Sequence, residues 1–437
     1  MLRPFSPHGT VDDHLSFCYF NLGPQAKRIE GSRARRRKNN SLAFGQHHDN
    51  EGQLMDFSLS MEQQILRESL RNFAEKEIRP LARQLDGAEA FSYDLTQAMA
   101  ELGLFGIFVS EEYGGQELDY LSYIIAVEEL ARVDASQAAT VAAANSLGIG
   151  PIYYFGNEQQ KRKYLSKLCT GEMLWAFGLT EPGAGSDAGA CHTHAVLDGA
   201  KWVINGSKIF ITNASTDISG GTTVMASTGK RDDGRNELSC FLVESGTPGY
   251  TAQPMHDKMM WRASNTSMLY FEECRVPKEN LLGQQGKGFH QMLATLDGGR
   301  LSIGAMGVGG AQGCYEMALK YAKEREQFGR PISTFQANAF KLADMAMEIE
   351  CARLLLYRAC WLKDQNRSFT KEAAMAKLYS SEVMRRVANH AVQLHGGYGL
   401  MKEYDVERFY RDQKLLEIGE GTSEILRIVI ARLTGAF

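Results

Sequence analysis

The stretch K-W-V-I-N-G-S-K-I-F-I-T-N, residues 201–213, decides the fold class, because it has a strand pattern and lies between two long regions of helical pattern. It is rich in β-branched and aromatic residues, which favour strands. Similar short segments lie on either side of it, and turns are expected at Asp-Gly, Asp-Asp-Gly and Gly-Thr-Pro-Gly, and at Asn205-Gly206 within the stretch itself. This pattern predicts an antiparallel β domain over residues 173–285.

The regions on both sides of this β domain are predicted to be helical. Apolar residues recur at helical intervals in residues 55–172, where Ser60 and Gln63 have the spacing of a capping box. Pro80 and the stretch G-A-E-A-F-S, residues 87–92, are expected to interrupt the first helical pattern. Helical patterns resume in residues 286–437. The predicted fold class is therefore α+β, mostly α, with an N-terminal helical domain, a middle antiparallel β domain and a C-terminal four-helix bundle.

The first 54 residues differ from the rest of the chain. They contain the basic run R-A-R-R-R-K at residues 33–38 and show no apolar period. One interpretation is a disordered extension or a start codon assigned too early, with Met55 as the natural first residue. The other two interpretations are a nucleic-acid-binding tail and a mitochondrial transit peptide, and five acidic residues count against the transit peptide. The expected compartment is the bacterial cytoplasm, or the mitochondrial matrix if the segment is a leader.

The composition of the chain is typical of a globular protein. Its 437 residues include 44% hydrophobic residues, carry a formal net charge of −4, and suffice for two or three domains. This charge provides no strong field for nucleic acid or an anionic membrane. Runs of about eighteen apolar residues are absent, so no transmembrane helix is predicted. The eight cysteines are scattered without a C-x-x-C pair, which indicates reduced thiols.

The glycine-rich stretches do not predict a Rossmann nucleotide site. Residues 183–188, G-A-G-S-D-A, fit G-x-G-x-x-A, but strand-like residues follow where a helix is required. Residues 304–313 lie inside a helical pattern, where small side chains would let helices pack closely. His192 and His194 are expected on one strand face, without the carboxylate or cysteine pattern of a metal site. The sequence contains no nucleophilic-serine elbow and no P-loop.

The stretch G-L-T-E-P-G-A-G-S-D, residues 178–187, is a candidate ligand-binding turn. Thr180, Ser186 and glycine-flanked N–H groups at a strand end can surround phosphates or a flat ring with donors. A plain connecting loop is the alternative. Phe210 and Thr212 alternate within a strand pattern and are expected on one face, which would suit a flat polar ring. Ordinary packing also accounts for that alternation.

The stretch L-L-E-I-G-E-G-T-S-E-I, residues 415–425, places Glu420 between two glycines. The glycines predict a break in the helical pattern, after which Thr422 or Ser423 caps the last helix. Unusual backbone angles at such a break can direct a carboxylate into a cavity. Burial there would raise its pKa and suit a general base at neutral pH. A solvent-facing loop glutamate is the alternative from the residues alone.

Seven motifs, in order along the chain, resemble those of the acyl-CoA dehydrogenase family, flavoenzymes that introduce a trans-2 double bond into acyl-CoA thioesters. They are G-L-T-E-P-G-A-G-S-D, K-I-F-I-T-N, D-K-M-M-W-R-A-S-N-T, F-E-E-C-R-V-P-K-E-N-L-L-G, K-E-R-E-Q-F-G-R-P-I, A-V-Q-L-H-G-G-Y-G and E-G-T-S-E-I. The resemblance spans residues 55 to about 433. It implies FAD as cofactor, an acyl-CoA as substrate, and the same helical, β, helical order.

The resemblance also implies roles for individual residues. Glu420 matches the base that removes the α-proton while a β-hydride passes to the flavin. Positions along the acyl-CoA site match Ser186, Asp297, Arg300 and Gly421. Positions that line the flavin match Phe177, Leu179, Thr180, Gly185, Ser186, Phe210 and Thr212. Positions that reach the FAD of a neighbouring subunit match Arg325, Phe328, Gln336, Gln393, Gly396 and Gly397. Thr422 and Glu424 match the segment beside the flavin diphosphate and adenosine.

Partners and substrate class follow from the same resemblance. Shared FAD sites imply a homotetramer, a dimer of dimers, and electron-transferring flavoprotein is the expected electron acceptor. Gly299 stands where some branches carry the base, so Glu420 is expected to act alone. Gly419 replaces the tyrosine of the fatty-acid members, and residues 136–144 lack the arginine of glutaryl-type members. A short- to medium-chain, branched or cyclic, uncharged acyl group is therefore expected.

Two alternatives keep this fold but change the function. An acyl-CoA oxidase would deliver electrons to O2, and such oxidases are usually longer, with an added C-terminal domain. A non-enzymatic, nucleic-acid-binding relative would need a basic surface outside the first 54 residues, and the sequence shows no basic run there. Neither nucleic acid nor membrane insertion is expected.

Overall fold

The computed structural model describes residues 58–437, in which a β domain lies between two helical regions. The helices are α1 (Met61–Phe73), α2 (Arg79–Ala88), α3 (Tyr93–Glu101), α4 (Tyr120–Ala131), α5 (Ala135–Ala143), α6 (Gly150–Phe155), α7 (Glu158–Cys169), α8 (Gly288–Glu324), α9 (Gln336–Asp364), α10 (Thr370–His395), α11 (Val406–Leu416) and α12 (Ser423–Leu433). The strands are β1 (Leu174–Gly178), β2 (His194–Asp198), β3 (Lys201–Thr212), β4 (Ser219–Lys230), β5 (Asn236–Glu244), β6 (Tyr250–Pro254), β7 (Thr266–Pro277), β8 (Leu281–Leu282), β9 (Glu326–Gln327) and β10 (Arg330–Pro331). The predicted fold class is confirmed. The interpretations of residues 1–54 concern a segment outside the described range.

The first helix begins as predicted but does not stop at Pro80. Ser60 caps α1 through a capping box, in which its side chain accepts from the Gln63 N–H and the Gln63 side chain accepts from the Ser60 N–H. A π-helical segment, Ala74–Ile78, then joins α1 directly to α2. Pro80 falls in the first turn of α2, where a missing N–H is tolerated. The expected interruption at Pro80 is therefore wrong, whereas the one expected at residues 87–92 is confirmed, because the helical run ends at Glu89 with a left-handed φ of 51°.

The β domain carries an eight-stranded sheet in the order β6-β7-β3-β2-β4-β5-β8, with β1 attached to β4. Most neighbours are antiparallel, as predicted. The exceptions are β1, which pairs parallel to β4, and a single parallel bridge between β2 and β4. Strand β1 is buried along its whole length and ends at Gly178, so the turn of residues 178–187 begins directly from the sheet.

The Asn205-Gly206 pair forms a bulge inside β3, and the predicted turn at this point is wrong. Strand β3 pairs with β7 on both sides of the dipeptide, with a register shift between Ile204 and Gly206. The Asn205 side chain bonds to Glu273 of β7, accepting from its N–H at 2.8 Å and donating to its carboxylate at 2.9 Å. A Cβ at Gly206 would overlap Thr193, so close strand approach explains the glycine.

The C-terminal region contains the predicted bundle, in which α8, α9, α10 and α11 pack against one another. The glycines of residues 304–313 lie within α8, and a Cβ at Gly309 or Gly313 would overlap the backbone carbonyl of Glu128 or Arg132, respectively. The expectation of close helix packing at these small residues is confirmed. No helix within residues 58–437 is long and apolar enough to cross a membrane.

Candidate active site

A cavity of about 970 Å³ lies between the β domain and the C-terminal helices. The ends of β1 and β3, the turn of residues 178–187 and the start of α8 contribute to its wall, together with the segment that joins α11 to α12. The volume is at the upper end of the range for small-molecule sites. The turn of residues 178–187 and the stretch around Glu420, both singled out from the sequence, therefore line one cavity.

The segment between α11 and α12 is a helix break with left-handed backbone at two successive residues. Glu420 has φ of 53° and Gly421 has φ of 101°. The Gly419 N–H donates to the Leu415 carbonyl at 2.8 Å, which closes α11. Thr422 caps α12, since its hydroxyl accepts from the Ile425 N–H at 3.3 Å. The break predicted from the two glycines is present, with Thr422 rather than Ser423 as the cap.

The Glu420 carboxylate is directed inward and does not have hydrogen-bond donors for both of its oxygens. Its Oε2 atom is buried and has no hydrogen-bond partner within the described residues. A Cβ at Gly299 of α8 would overlap that oxygen, so the absence of a side chain there makes room for the carboxylate. Burial raises the pKa of Glu420 to about 7, against the opposing charges of Lys377 and Arg300. Such a group exchanges a proton near neutral pH.

Two buried cations hold the backbone of this break. The Lys377 Nζ of α10 donates to the Gly421 carbonyl at 2.7 Å, and the Arg300 Nε of α8 lies 3.5 Å from the Glu420 carbonyl. Arg300 also pairs with Asp297 at 2.6 Å. Asp297 accepts a second hydrogen bond from Thr370 at 2.6 Å, and burial raises its pKa. The backbone carbonyls of Glu420 and Gly421 therefore each contact a cation.

The turn of residues 178–187 is fixed by a buried ion pair. The Lys208 Nζ lies 2.8 Å from the Glu181 carboxylate, and both side chains are almost fully buried. Glu181 also accepts from the N–H groups of His192 at 2.7 Å and Thr193 at 2.9 Å. Burial alone would raise its pKa, but Lys208 and these donors hold the pKa of Glu181 at about 2. The Lys208 Nζ also donates to the Leu179 carbonyl at 3.2 Å.

Three family models match the chain in sequence order. They are the acyl-CoA dehydrogenase N-terminal domain over residues 60–172, the middle domain over 176–274 and the C-terminal domain over 286–434. The chain belongs to the acyl-CoA dehydrogenase family. This acyl-CoA dehydrogenase is an oxidoreductase, and FAD is its cofactor.

Individual relatives cover nearly the whole described range. A probable acyl-CoA dehydrogenase of Bacillus subtilis is 54% identical over 378 residues, which cover 86% of this chain and 99% of that relative. A short-chain specific acyl-CoA dehydrogenase of Clostridium acetobutylicum is 46% identical over 377 residues, with the same coverage of 86% and 99%. The solved butyryl-CoA dehydrogenase from Megasphaera elsdenii aligns with a TM-score of 0.84 at 42% identity, covering 87% of this chain and 100% of that chain.

The groups that line the cavity of this acyl-CoA dehydrogenase suit a flavin. The hydroxyls of Thr180, Ser186 and Thr212 make no hydrogen bond to protein in the part of the chain that the structure describes, so they can bond to a ligand. Phe210 has a left-handed φ of 62° and is 62% exposed, which is unusual for an aromatic residue in a strand. A register shift between Lys208 and Ile211 accompanies it, and both Phe210 and Thr212 line the cavity. A flat ring bordered by hydroxyl donors matches this lining.

The structure separates the residues implied by the family resemblance into groups. Those that line the main cavity are Phe177, Leu179, Thr180, Gly185, Ser186, Phe210, Thr212, Arg300, Glu420, Gly421 and Thr422. A second cavity of about 460 Å³ contains Arg325, Gly396 and Gly397. Outside both cavities, Phe328, Gln336, Gln393 and Glu424 are exposed, and Asp297 contacts Arg300. One chain alone therefore does not bring all of them together.

Three residues that hold the backbone of the candidate site were not predicted from the sequence. Glu181 and Lys208 lie inside quoted motifs, yet their pairing joins positions far apart in the chain. Lys377 lies in A-A-M-A-K-L-Y-S-S, where its sequence signal is a positive charge among mostly small and apolar residues. His192 and His194, considered as strand-face residues, are both exposed. No cluster of metal-ligating side chains occurs in residues 58–437.

Proposed function

We propose that this acyl-CoA dehydrogenase uses Glu420 to remove the α-proton of an acyl-CoA thioester, giving the trans-2-enoyl-CoA. FAD, when bound, supplies the hydride acceptor for the β-carbon. The observation that carries this proposal is the inward Glu420 carboxylate, which has a buried, unpartnered oxygen at the cavity. Its pKa of about 7 lets it accept a proton at neutral pH and return it to solvent later.

The thioester oxygen needs hydrogen-bond donors, because the α-proton of a thioester is only weakly acidic. The Glu420 N–H is a suitable donor, since it donates to no protein acceptor in residues 58–437. A fixed backbone N–H requires no reorganisation when charge develops on the oxygen. We assign it to the thioester carbonyl, with Ser186, Asp297, Arg300 and Gly421 along the acyl-CoA site.

The distribution of the cofactor residues supports a shared FAD site. Residues of the main cavity would hold the flavin of this chain, with Thr422 and Glu424 toward its diphosphate and adenosine. Six exposed residues, in the second cavity or outside both cavities, would contact the FAD of a neighbouring subunit: Arg325, Phe328, Gln336, Gln393, Gly396 and Gly397. Phe328 is 94% exposed at a left-handed φ of 55°, and a partner that covers it would account for both features. A homotetramer, the dimer of dimers expected from the sequence, is the proposed assembly, and its molar mass in solution tests this.

The substrate is proposed to be a short- to medium-chain, uncharged acyl-CoA, including branched or cyclic groups. Apolar residues of the cavity include Leu147, Leu296 and Ile303. Arg300, the cation of α8 at the cavity, is already paired with Asp297, so it offers little to a second carboxylate. Gly419 has room for a larger residue, because a Cβ there meets only Leu415 at ordinary contact distance. The short-chain relative and the butyryl-CoA dehydrogenase support the same size class.

Electron-transferring flavoprotein is the proposed electron acceptor, and oxygen is the alternative that the relatives do not favour. The proposed compartment stays the bacterial cytoplasm, or the mitochondrial matrix if residues 1–54 are a leader. Hydrogen peroxide formation at a rate comparable to dye reduction would replace the dehydrogenase assignment with an oxidase.

The test of the proposed function is an anaerobic titration of the purified holoenzyme with acyl-CoAs. Butyryl-CoA, isobutyryl-CoA and hexanoyl-CoA should bleach the visible flavin band, and glutaryl-CoA should leave it largely intact. Equal bleaching by glutaryl-CoA and butyryl-CoA would contradict the uncharged substrate class. A flavin band that no acyl-CoA bleaches would contradict the proposed reaction itself.

A further inference from the structure

Lys377 is a lysine in the interior of α10 whose side chain is fully buried. Within residues 58–437 its Nζ donates one hydrogen bond, to the Gly421 carbonyl at 2.7 Å. Gly421 directly follows the proposed base. A buried ammonium is costly unless it is compensated, and an apolar side chain would fill the same space at lower cost. The burial of a charge here therefore calls for an explanation beyond packing.

The carboxylates around Lys377 differ in how well they are already paired. Glu417 is held by Arg385 at 3.0 Å and by Lys414 at 2.7 Å, and Glu424 is exposed. Glu420 has no such partner, and its buried Oε2 makes no hydrogen bond to the described residues. Lys377 is therefore the nearby charge available to Glu420 from the side of α10.

The other charged and titratable groups near Glu420 come from α8 and α4. On α8, Arg300 contacts the Glu420 carbonyl but is already paired with Asp297. On α4, Tyr120 and Tyr123 are buried, and burial raises their pKa values above the ordinary range, so both stay neutral. Of the two cations near Glu420, Arg300 is paired with a carboxylate and Lys377 has no carboxylate within salt-bridge distance in the described residues.

We propose that Lys377 is a positioning residue for the base: its ammonium fixes the Gly421 carbonyl, and with it the left-handed break that directs Glu420, and its charge keeps the carboxylate ionised. This inference rests on the proposed function of Glu420. Burial lowers the pKa of Lys377 to about 8, against the opposing charge of Glu420. Lys377 thus still carries its proton at the pH where Glu420 loses its own, which the pairing requires.

Three substitutions separate the charge of Lys377 from its hydrogen bond. Lys377→Gln keeps a donor for the Gly421 carbonyl but removes the charge, Lys377→Met removes both, and Lys377→Arg keeps both. Lys201→Met is the control, because it removes one exposed positive charge from β3, outside the cavity. The rate of flavin reduction by butyryl-CoA is measured anaerobically between pH 5.5 and 9.5 for each holoenzyme. The flavin spectrum and apparent melting temperature of each show whether it is folded.

Loss of the Lys377 charge in Lys377→Gln should raise the pKa of Glu420, which shifts the acidic limb of the pH profile to higher pH by about one unit. The rate at pH 6.5 should therefore fall about tenfold. Above pH 8.5 that variant should stay within about threefold of wild type, whereas Lys377→Met should lose about tenfold there through misplacement of the base. Lys377→Arg and Lys201→Met should keep the wild-type limb, and butyryl-CoA affinity should be unchanged throughout.

Two different results would contradict the proposed function and the role of Lys377 separately. If wild type is not reduced by any acyl-CoA, the proposed function fails and this inference fails with it. If wild type is reduced and loses activity in Glu420→Gln, but folded Lys377→Gln keeps the wild-type acidic limb, only the role of Lys377 is overturned. Should Lys377→Met fail to bind FAD, the Gln and Arg variants still decide between these results.

Discussion

Two glutamates of this chain, Glu181, which is buried, and Glu420, which is half-buried with a buried Oε2 atom, each lie near a fully buried lysine, yet their surroundings give them opposite properties. Glu181 contacts Lys208 directly at 2.8 Å, whereas the lysine beside Glu420, Lys377, donates to a backbone carbonyl instead. The pKa of Glu181 is held at about 2, and the pKa of Glu420 is raised to about 7.

The difference lies in the donors that reach each carboxylate. Glu181 accepts hydrogen bonds from Lys208, from the N–H groups of His192 and Thr193, and from the Cys191 thiol at 3.1 Å. Glu420 has a buried oxygen without any partner in the described range. Burial is therefore not sufficient to make a base, since a buried carboxylate with enough donors is strongly acidic. Glu181 maintains the turn that lines the cavity, whereas Glu420, the proposed base, keeps an oxygen without a donor in the described residues.

The largest expected effect on stability is the loss caused by removing the charge of Glu181. Glu181→Gln leaves Lys208 buried without a counter-charge, which should cost about 3 kcal/mol or more in the free energy of unfolding at pH 7.5. Glu112→Gln is the matched control, because it breaks the pair with Arg162, in which both side chains are more than half exposed, and should cost less than about 1 kcal/mol. Urea unfolding of the three proteins measures both values. Equal costs would remove the distinction between buried and exposed pairs.

A large effect on the rate, with Glu420 itself unchanged, is expected from filling the space beside its carboxylate. Gly299→Ala places a Cβ where Oε2 lies, and the flexible carboxylate must move. The rate of flavin reduction by butyryl-CoA should fall by about 100-fold, because a displacement of about 1 Å is enough for such a loss. Stability should not fall, since alanine favours a helix by about 1 kcal/mol over glycine.

The control for that substitution is Gly87→Ala in α2. A Cβ at Gly87 meets nothing within 4 Å, so the same gain in helix stability should appear with an unchanged rate. A Gly299→Ala enzyme that is as active as Gly87→Ala would show that the carboxylate position seen in the structure is not the reactive one.

A smaller effect is expected from pH on the wild-type reaction. The base must be deprotonated, and its pKa is about 7, so the rate of flavin reduction should be constant above pH 8 and fall about tenfold per unit below pH 6. Glu181 stays ionised over this whole range because its pKa is about 2. Stopped-flow reduction by butyryl-CoA at fixed ionic strength measures the profile. An acidic limb near the ordinary glutamate value of 4.5 would mean that Glu420 is well solvated.

The smallest effect is a gain in stability on neutralising Glu420. Its folded pKa lies above the ordinary value of 4.5, so its contribution to stability is present below pH 4.5 and is lost as pH rises through about 7. Glu420→Gln should therefore raise the apparent melting temperature by about 2 °C at pH 8 and have little effect at pH 5.

Glu181 should show the opposite linkage. Its pKa is lowered, so its contribution is present above pH 4.5 and is lost as pH falls toward about 2. A Glu420→Gln enzyme that melts below wild type at pH 8 would indicate that the carboxylate is satisfied by contacts in solution.

Local sequence patterns predicted much of the fold, because strand alternation, helical periodicity and capping depend on neighbouring residues. The capping box at Ser60 and the break at Glu420 are examples. Pro80 and Asn205-Gly206 were misjudged for a common reason. Each is a usual interruption signal, but a π-helical segment accommodates the proline and pairing with β7 turns the dipeptide into a bulge.

The candidate site was predictable where a single motif contains it and not where distant segments meet. The two glycines around Glu420 indicated a directed carboxylate, and Phe210 and Thr212 were expected to share a surface. The pairing of Glu181 with Lys208 and the contact of Lys377 with Gly421 both join segments far apart in the sequence. Whether Glu420 is a base depends on those contacts, because the same carboxylate with more donors would resemble Glu181.

The most direct test of this account is the rate of flavin reduction by butyryl-CoA under anaerobic single-turnover conditions at pH 8, in wild type, Glu420→Gln and Glu417→Gln. Glu417 is paired with Arg385 and Lys414 and is the control for losing a nearby carboxylate. We expect Glu420→Gln to retain FAD and lose about 1,000-fold or more in rate, while Glu417→Gln keeps a rate close to wild type. A Glu420→Gln rate within about threefold of wild type would contradict the assignment of Glu420 as the base.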